Sequence, residues 1–528
     1  MKEYATRIEL TKGLRPDKRI PFGSTYLETC YNLKASPQYG LIGIDVPTYP
    51  VVDHAQSVDT QFIEGSSLLL ADVSDTAVEL FELSTGDWSL SADLLTAGAV
   101  PSTADGTTST AIPLGGLWQH IEGAGTWILV NTAGLLTNCA LFGTGWFGST
   151  YTISLVPTTV CMFQGRGIYG GLRTTGSYLS STYWTEIWDT WRGFRGDSGI
   201  TSDEEVGREY LMWGPPSGGS MDIPFGLELS LLSGFNRGRV DRLVIEAIRA
   251  GEIGFARIPF RGRIRSVKRL GNRVVVYGTE GVGLLVQEDK GFRIDPLLDT
   301  GIIHRDCVAG DDQHHMFVDK KSRLWLIQNE YIPILKGYED HLANLTYSDT
   351  TPLMSYDSIN DDFYITDGIL GVGTERSYVF SNGELAESRY RPSTILTQSG
   401  NFYATYTNGV EAFEVVLHAA DMGRRALKTI QTVEVAYRLC RTVKVAVEYR
   451  HGATDYYTRS TLIPVNKEGV AWPMITAPDL RIVLTGVPSS EISTDATIDD
   501  IVVHWKGPDK RVIRGLTEQQ NATTSGDG

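Results

Sequence analysis

IRSVKRLGNRVVVYGTEGVGLLVQ, Ile264 to Gln287, is the stretch that decides the fold class. Ile264 to Leu270 stops at Gly271-Asn272, and the valine-rich run Arg273 to Tyr277 follows at once. A second glycine-containing turn then leads into Gly283 to Gln287. Short runs rich in β-branched residues, separated by residues that accept turn conformations, read as three antiparallel strands.

The pattern recurs along the chain. Roughly fifty residues later, the runs His315 to Val318, Arg323 to Ile327 and Tyr331 to Leu335 alternate with the turns Asp319 to Ser322 and Gln328-Asn329-Glu330. A third copy brings Asp362 to Thr366, then Ser377 to Phe380 with the hairpin pair Asn382-Gly383. Upstream, Ser67 to Ala71 and Ala77 to Leu83 lead to a Ser84-Thr85-Gly86-Asp87 turn, and Thr126 to Val130 leads through Asn131 to Gly134 into Leu135-Leu136. A period of about 40 to 50 residues with about four strands each is that of a propeller blade. From about residue 410 the pattern becomes strict alternation. Val443, Val445, Val447 and Tyr449 share one face, with Lys444, Ala446, Glu448 and Arg450 on the other. With Thr432 to Tyr437, Leu480 to Leu484 and Ile498 to Trp505, this predicts an antiparallel sandwich.

The expected organisation is all-β, an irregular β-propeller-like body followed by a β-sandwich, with a short helical insertion. Residues 1–60, broken by Pro16, Pro21, Pro37, Pro47 and Pro50, read as an extended arm over a neighbouring surface. Residues 61–174 hold the first blades. Residues 175–250 form a Trp- and Gly-rich insertion with Trp184, Trp188, Trp191 and Trp213, and a helix from Asp241 to Ala250 stopped by Gly251. Further blades occupy 251–400, the sandwich 401–512 and a polar tail 513–528.

Composition narrows the function classes. Over 528 residues the net charge is −16, which opposes a stable grip on phosphate and is compatible with a conduit through which DNA passes. The 56 glycines imply many tight turns. Cys30, Cys139, Cys161, Cys307 and Cys440 are scattered and odd in number, which argues against a disulfide framework and for assembly in a reducing cytoplasm. Met1-Lys2-Glu3 opens no apolar signal segment, and no run reaches the ~18 apolar residues of a membrane span, so neither export by a signal peptide nor membrane insertion is expected.

Motifs that carry chemistry are weak. Gly196-Asp197-Ser198-Gly199 matches the nucleophile segment of trypsin-like proteases, yet only His54 and His120 precede it, and a glycine turn is expected. Gly165 to Gly170 fits G-x-G-x-x-G, but Gly171, Thr174, Thr175 and Gly176 follow where the dinucleotide fingerprint needs a helix, so a turn and strand are expected. His314-His315 point to opposite faces of a strand, one solvated and one packed, without the spacing of a metal site. No catalytic, cofactor or metal residue is assigned, and no enzyme activity is expected. The one basic stripe is Arg257, Arg261, Arg263, Arg265, Lys268 and Arg269; Arg261, Arg263 and Arg265 share a face if their strand is regular, and a subunit or adaptor contact is expected there.

Several segments taken together resemble the tail nozzle family of short-tailed phages, which includes the packaged-DNA stabilisation proteins. They are YLETCYNL (Tyr26 to Leu33) with YGLIGIDVP (Tyr39 to Pro47), REYLMWGPPSGGSMDIPF (Arg208 to Phe225), VVVYGTEGVGLL with GIIHRDCVAGDDQHHMFVDKKSRLWLI (Val274 to Ile327) and IDDIVVHWK (Ile498 to Lys506). The resemblance implies a homohexameric ring in the virion tail that retains DNA and passes it at ejection. It also implies contact with an adaptor or head-to-tail connector and other tail proteins. Two other functions fit an all-β chain of this composition: a host-surface or carbohydrate-binding propeller using Trp and Tyr on blade-end loops, and a polysaccharide hydrolase with a carboxylate pair.

Overall fold

The computed structural model describes most of residues 2–44, the strands between 59 and 174, residues 209–214 and most of 254–507, and the statements below concern these residues. Five antiparallel four-stranded sheets follow one another in chain order, spanning 59–93, 119–149, 159–257, 264–298 and 308–336, and a sixth set of four antiparallel strands, over 353–388, forms part of a larger sheet. The first strands of sheets two and three, three and four, and five and six lie against one another, as do the last strands of sheets one and two and of three and four, the arrangement of blades with the first strand innermost. The fold is therefore an all-β propeller-like body joined to a β-sandwich.

Blade four shows why these residues form blades. Leu270 pairs with Arg273 across a two-residue loop in which Gly271 takes φ 57, the positive φ at the first loop position that a tight hairpin requires. Val274 and Val276 then face blade three, packing with Phe163, Leu211 and Trp213. Val275 and Tyr277 face blade five, packing with Cys307, Val308 and Phe317. Buried on both sides, the strand has lost the polar face of an ordinary hairpin, which is why its sequence is a continuous valine run.

Blade three differs from the sequence expectation. Tyr210–Trp213, assigned to the insertion, is the blade's third strand, pairing with Arg166–Gly170 on one side and Gly254–Arg257 on the other. Trp213 is 5% exposed and meets Phe292 edge-on at 5.2 Å between centroids. Gly254 and Gly291 make room for its ring: a Cβ on either would come within 2.4 and 2.7 Å of it. The helix expected over Asp241 to Ala250, Trp184, Trp188 and Trp191 lie outside the described residues, as do residues 508–528.

The N-terminal segment also departs from expectation. It does not run as an arm over a neighbour; it supplies strands β1 (Lys2–Glu9), β2 (Leu27–Tyr31), β3 (Leu33–Ser36) and β4 (Gly40–Gly43). Their partners come from the other end of the chain: β5 (Phe413–Leu417), β6 (Lys428–Arg438), β7 (Cys440–Arg450), β8 (Asp479–Pro488) and β9 (Thr497–Gly507). One sandwich sheet contains β3, β4, β9 and β6, with β1 lying antiparallel on β9 from Lys2 opposite Gly507 to Glu9 opposite Asp500. The second has ten strands. It runs from blade six through β2, which pairs in parallel with Glu384–Ser388 and antiparallel with β5, and on through β8 and β7. The sandwich is thus built from both ends of the chain, and one sheet is joined to blade six through the pair Tyr31–Glu387.

Val443, Val445 and Val447 face the core between the sheets, as the alternation predicts, together with Ile501, Val503 and Trp505. Ala446, expected outside, is also fully buried and packs with Val416 and Val483. That outer face is covered by the segment after β7, where Arg459 forks onto Glu414 and Glu448 and Tyr457 lies between the guanidinium groups of Arg450 and Arg481. No helix among the described residues is long and apolar enough to cross a membrane. Cys30, Cys161, Cys307 and Cys440 are free thiols.

Candidate functional site

The centre of the propeller is where polar groups converge. Gln119, at the start of the innermost strand of blade two, accepts bonds from the Thr159 hydroxyl at 2.8 Å and the Val160 amide at 3.1 Å. The Thr159 oxygen in turn accepts from the Val267 amide of blade four at 2.9 Å. Three blades are stitched through two buried side chains. Arg305, on the connector between blades four and five, reaches back to blade three, its Nη1 donating to the Thr158 carbonyl and its Nε to Asp306, each at 2.8 Å. Burying this pair is tolerable because each ion has the other as partner.

The two adjacent histidines continue the stitching outward. His315 is 1% exposed; its Nδ1 shares a 2.9 Å bond with the Tyr277 hydroxyl and its Nε2 lies 2.9 Å from the Arg269 carbonyl, joining blades five and four. His314 Nε2 sits 2.9 Å from Asp361 and joins blades five and six. One packed and one partly solvated histidine is what strand alternation predicts. Among the described residues no group of three or more His, Cys, Asp or Glu side chains is arranged to hold a metal ion. Burial pushes the Cys307 thiol up to about 12, so it remains protonated at neutral pH and donates to the His304 carbonyl.

The basic stripe is not one strand face. The blade-four strand begins at Ile264, so Arg261 lies in the exposed bend before it, Arg263 in the linking residue and only Arg265 in the strand. Arg265 is also the extra residue of a β-bulge, since Ile264 pairs with Gly278 and Ser266 with Tyr277. The reason is local: Gly262 takes φ 93 and Arg263 is tied by its backbone to Thr279, so the chain turns before the ladder starts. Arg257 pairs with Glu209 and Arg269 lies 3.3 Å from Asp312, while Lys268 is buried. Arg261 is exposed and Arg263 partly buried, both near one end of blade four.

The G-x-G-x-x-G segment is a hairpin turn, with Gln164 at φ 50 and Gly165 at φ 70, followed by the strand Arg166–Gly170. It opens no helix. Ser198 and the acidic run Asp203-Glu204-Glu205 lie outside the described residues. Sequence reading missed Gln119, Thr159 and Arg305, because single polar residues at strand starts carry no local signal until neighbouring blades are in place.

No family model matches the chain, and no curated protein matches it. Solved structures give remote likenesses only. A structure of RRP9 WD40 repeats aligns over 70% of this chain and 91% of its own, at 6% identity and a TM-score of 0.35. Sqt1 of Saccharomyces cerevisiae aligns over 70% and 96%, at 9% identity and a TM-score of 0.31. The computationally designed Ika8 protein aligns over 71% and 86%, at 8% identity and a TM-score of 0.32. The fold rests on the strand order and pairing described above, to which scores this low add nothing.

Proposed function

We propose that this chain is a structural subunit of a phage tail, a ring-forming conduit for DNA retention and ejection rather than an enzyme. The observation that carries the reading is the ten-stranded sheet in which β2 joins blade six, through the parallel pair Tyr31–Glu387, to the strands of the sandwich. A linker between body and sandwich would leave a hinge, whereas a shared sheet makes the two move together, as a building block under mechanical load requires. The blade-to-blade stitching at the propeller centre acts in the same direction. The net charge of −16 suits a wall that DNA passes without being held. Arg261, which is exposed, and the partly buried Arg263 and Arg265 are then residues of a contact with an adaptor or a neighbouring subunit.

Gold-labelled antibody against the chain, applied to intact virions, tests the assignment. Label on the tail axis is the expected result; particles without label, or with label confined to peripheral fibres, contradict it.

A further inference from the structure

A second surface lies on the outer face of the sandwich, away from the blades. β1, β9 and β6 enclose a groove of about 400 Å³ lined by Glu3, Ala5, Gln431, Thr432, Glu434 and His504, with Tyr4 beneath. The volume is at the small end of the ~300–1,000 Å³ range of ligand sites. Ala5 forms a low floor between longer neighbours. Gln431 is the extra residue of a β-bulge between Ile430 and Thr432, which puts an additional polar side chain at the wall.

An exposed aromatic lies on the segment that runs beside the groove wall. Ala471 pairs with Val433, both facing the core, so the chain beyond it, Trp472-Pro473-Met474, runs beside Thr432. Trp472 is 52% and Met474 59% exposed, although tryptophan is ordinarily well covered. Met474 takes φ 54, a conformation that side chains other than glycine adopt at a cost.

The charges of the groove select the ligand. Glu3 pairs with Lys506 at 2.7 Å, a bond that holds its carboxyl below the usual range, and Glu434 pairs with His504 at 2.9 Å. The bonds to Lys506 and His504 hold the two carboxylates in place, and their charge disfavours an anionic partner. A neutral molecule carrying many hydroxyls satisfies the remaining lone pairs, the Gln431 amide and the Thr432 hydroxyl, and offers an apolar face to an indole. We infer that this groove, with Trp472 as its stacking platform, is a binding site for a neutral saccharide, distinct from the blade-end loops and independent of ring formation.

The test uses the full chain on an array of neutral, acidic and amino oligosaccharides, followed by saturation-transfer NMR with the strongest neutral binder. Trp472→Ala and Glu434→Gln are compared with the wild type, and hexalysine serves as the cationic probe. The expected result is binding of a neutral saccharide, about tenfold weaker in each variant, the size of one stacking or charge-assisted contact, at unchanged melting temperature. The inference is overturned if no neutral saccharide binds, if both variants bind as the wild type does, or if hexalysine binds with the same dependence on Trp472 and Glu434.

Discussion

Lys34 of β3 and Asp362 of blade six form an ion pair at the join between sandwich and propeller, with side chains only 5% and 0% exposed. Burial raises the Asp362 carboxyl to about 6, with Lys34 pulling the other way and Asp357 adding to the rise. A carboxyl that titrates higher when folded binds its proton more tightly in the native state, so from about pH 4 to 6 its contribution to stability falls as pH rises. Lys34→Met removes the compensating cation and is expected to cost about 3–5 kcal/mol near neutral pH. Protonation of Asp362 relieves that loss, so urea melts should show a smaller deficit at about pH 5 than at about pH 7.5; equal deficits would place the cost in packing. Asp319 behaves oppositely. Burial alone raises its carboxyl, but bonds from the Arg323 side chain and amide, Trp325 and the Lys321 amide hold it below the usual range. Its stabilisation is present above the unfolded carboxylate range and is lost as pH falls through its lowered value. Asp319→Ala is expected to cost about 2–3 kcal/mol at neutral pH, read as a lowered urea midpoint, and less in strong acid.

At the scale of elements, both ends of the chain are needed to close one sandwich. Expressed alone, residues 405–510 leave β9 without β1 and β5 without β2, exposing two ladders. We expect this fragment to aggregate or to lack a cooperative melt, and fusion of residues 1–44 to its N-terminus to restore one. A cooperative melt of the short fragment would show that β1 to β4 are accessory. The same contrast explains what the sequence made legible. The Asn382-Gly383 hairpin could be read because its chemistry is local: the residues take φ 51 and 83, the left-handed pair such a loop demands. So could β7, whose alternation needs only its own residues. β1 could not, because its register runs from Lys2 to Gly507 and no local pattern names a partner so far away. Of the prolines that suggested an irregular arm, Pro37 lies in the turn from β3 to β4, and Pro16, Pro21, Pro47 and Pro50 lie outside the described residues. The groove on the sandwich was hidden for the same reason, being assembled from β1, β6 and β9. Of the basic stripe the sequence revealed the composition but not the geometry, since the bulge at Arg265 depends on how its strand meets the next.

At the scale of the whole molecule, the shared sheet joins blade six to the sandwich, side-chain bonds tie blades two to six to one another, and the chain carries a net charge of −16. If Arg263 and Arg265 serve subunit or adaptor contacts, reversing both to glutamate impairs assembly before it alters affinity for DNA, which sedimentation and filter binding of the same preparation separate. A variant that assembles normally yet binds DNA differently would move these residues to the lumen. The central claim is most directly tested by cryo-electron microscopy of the purified chain. The expected result is a closed six-fold ring in which propeller and sandwich hold one fixed orientation in every subunit, around an acidic or neutral bore. A population of monomers, or of subunits whose propeller and sandwich vary in relative orientation, would contradict it.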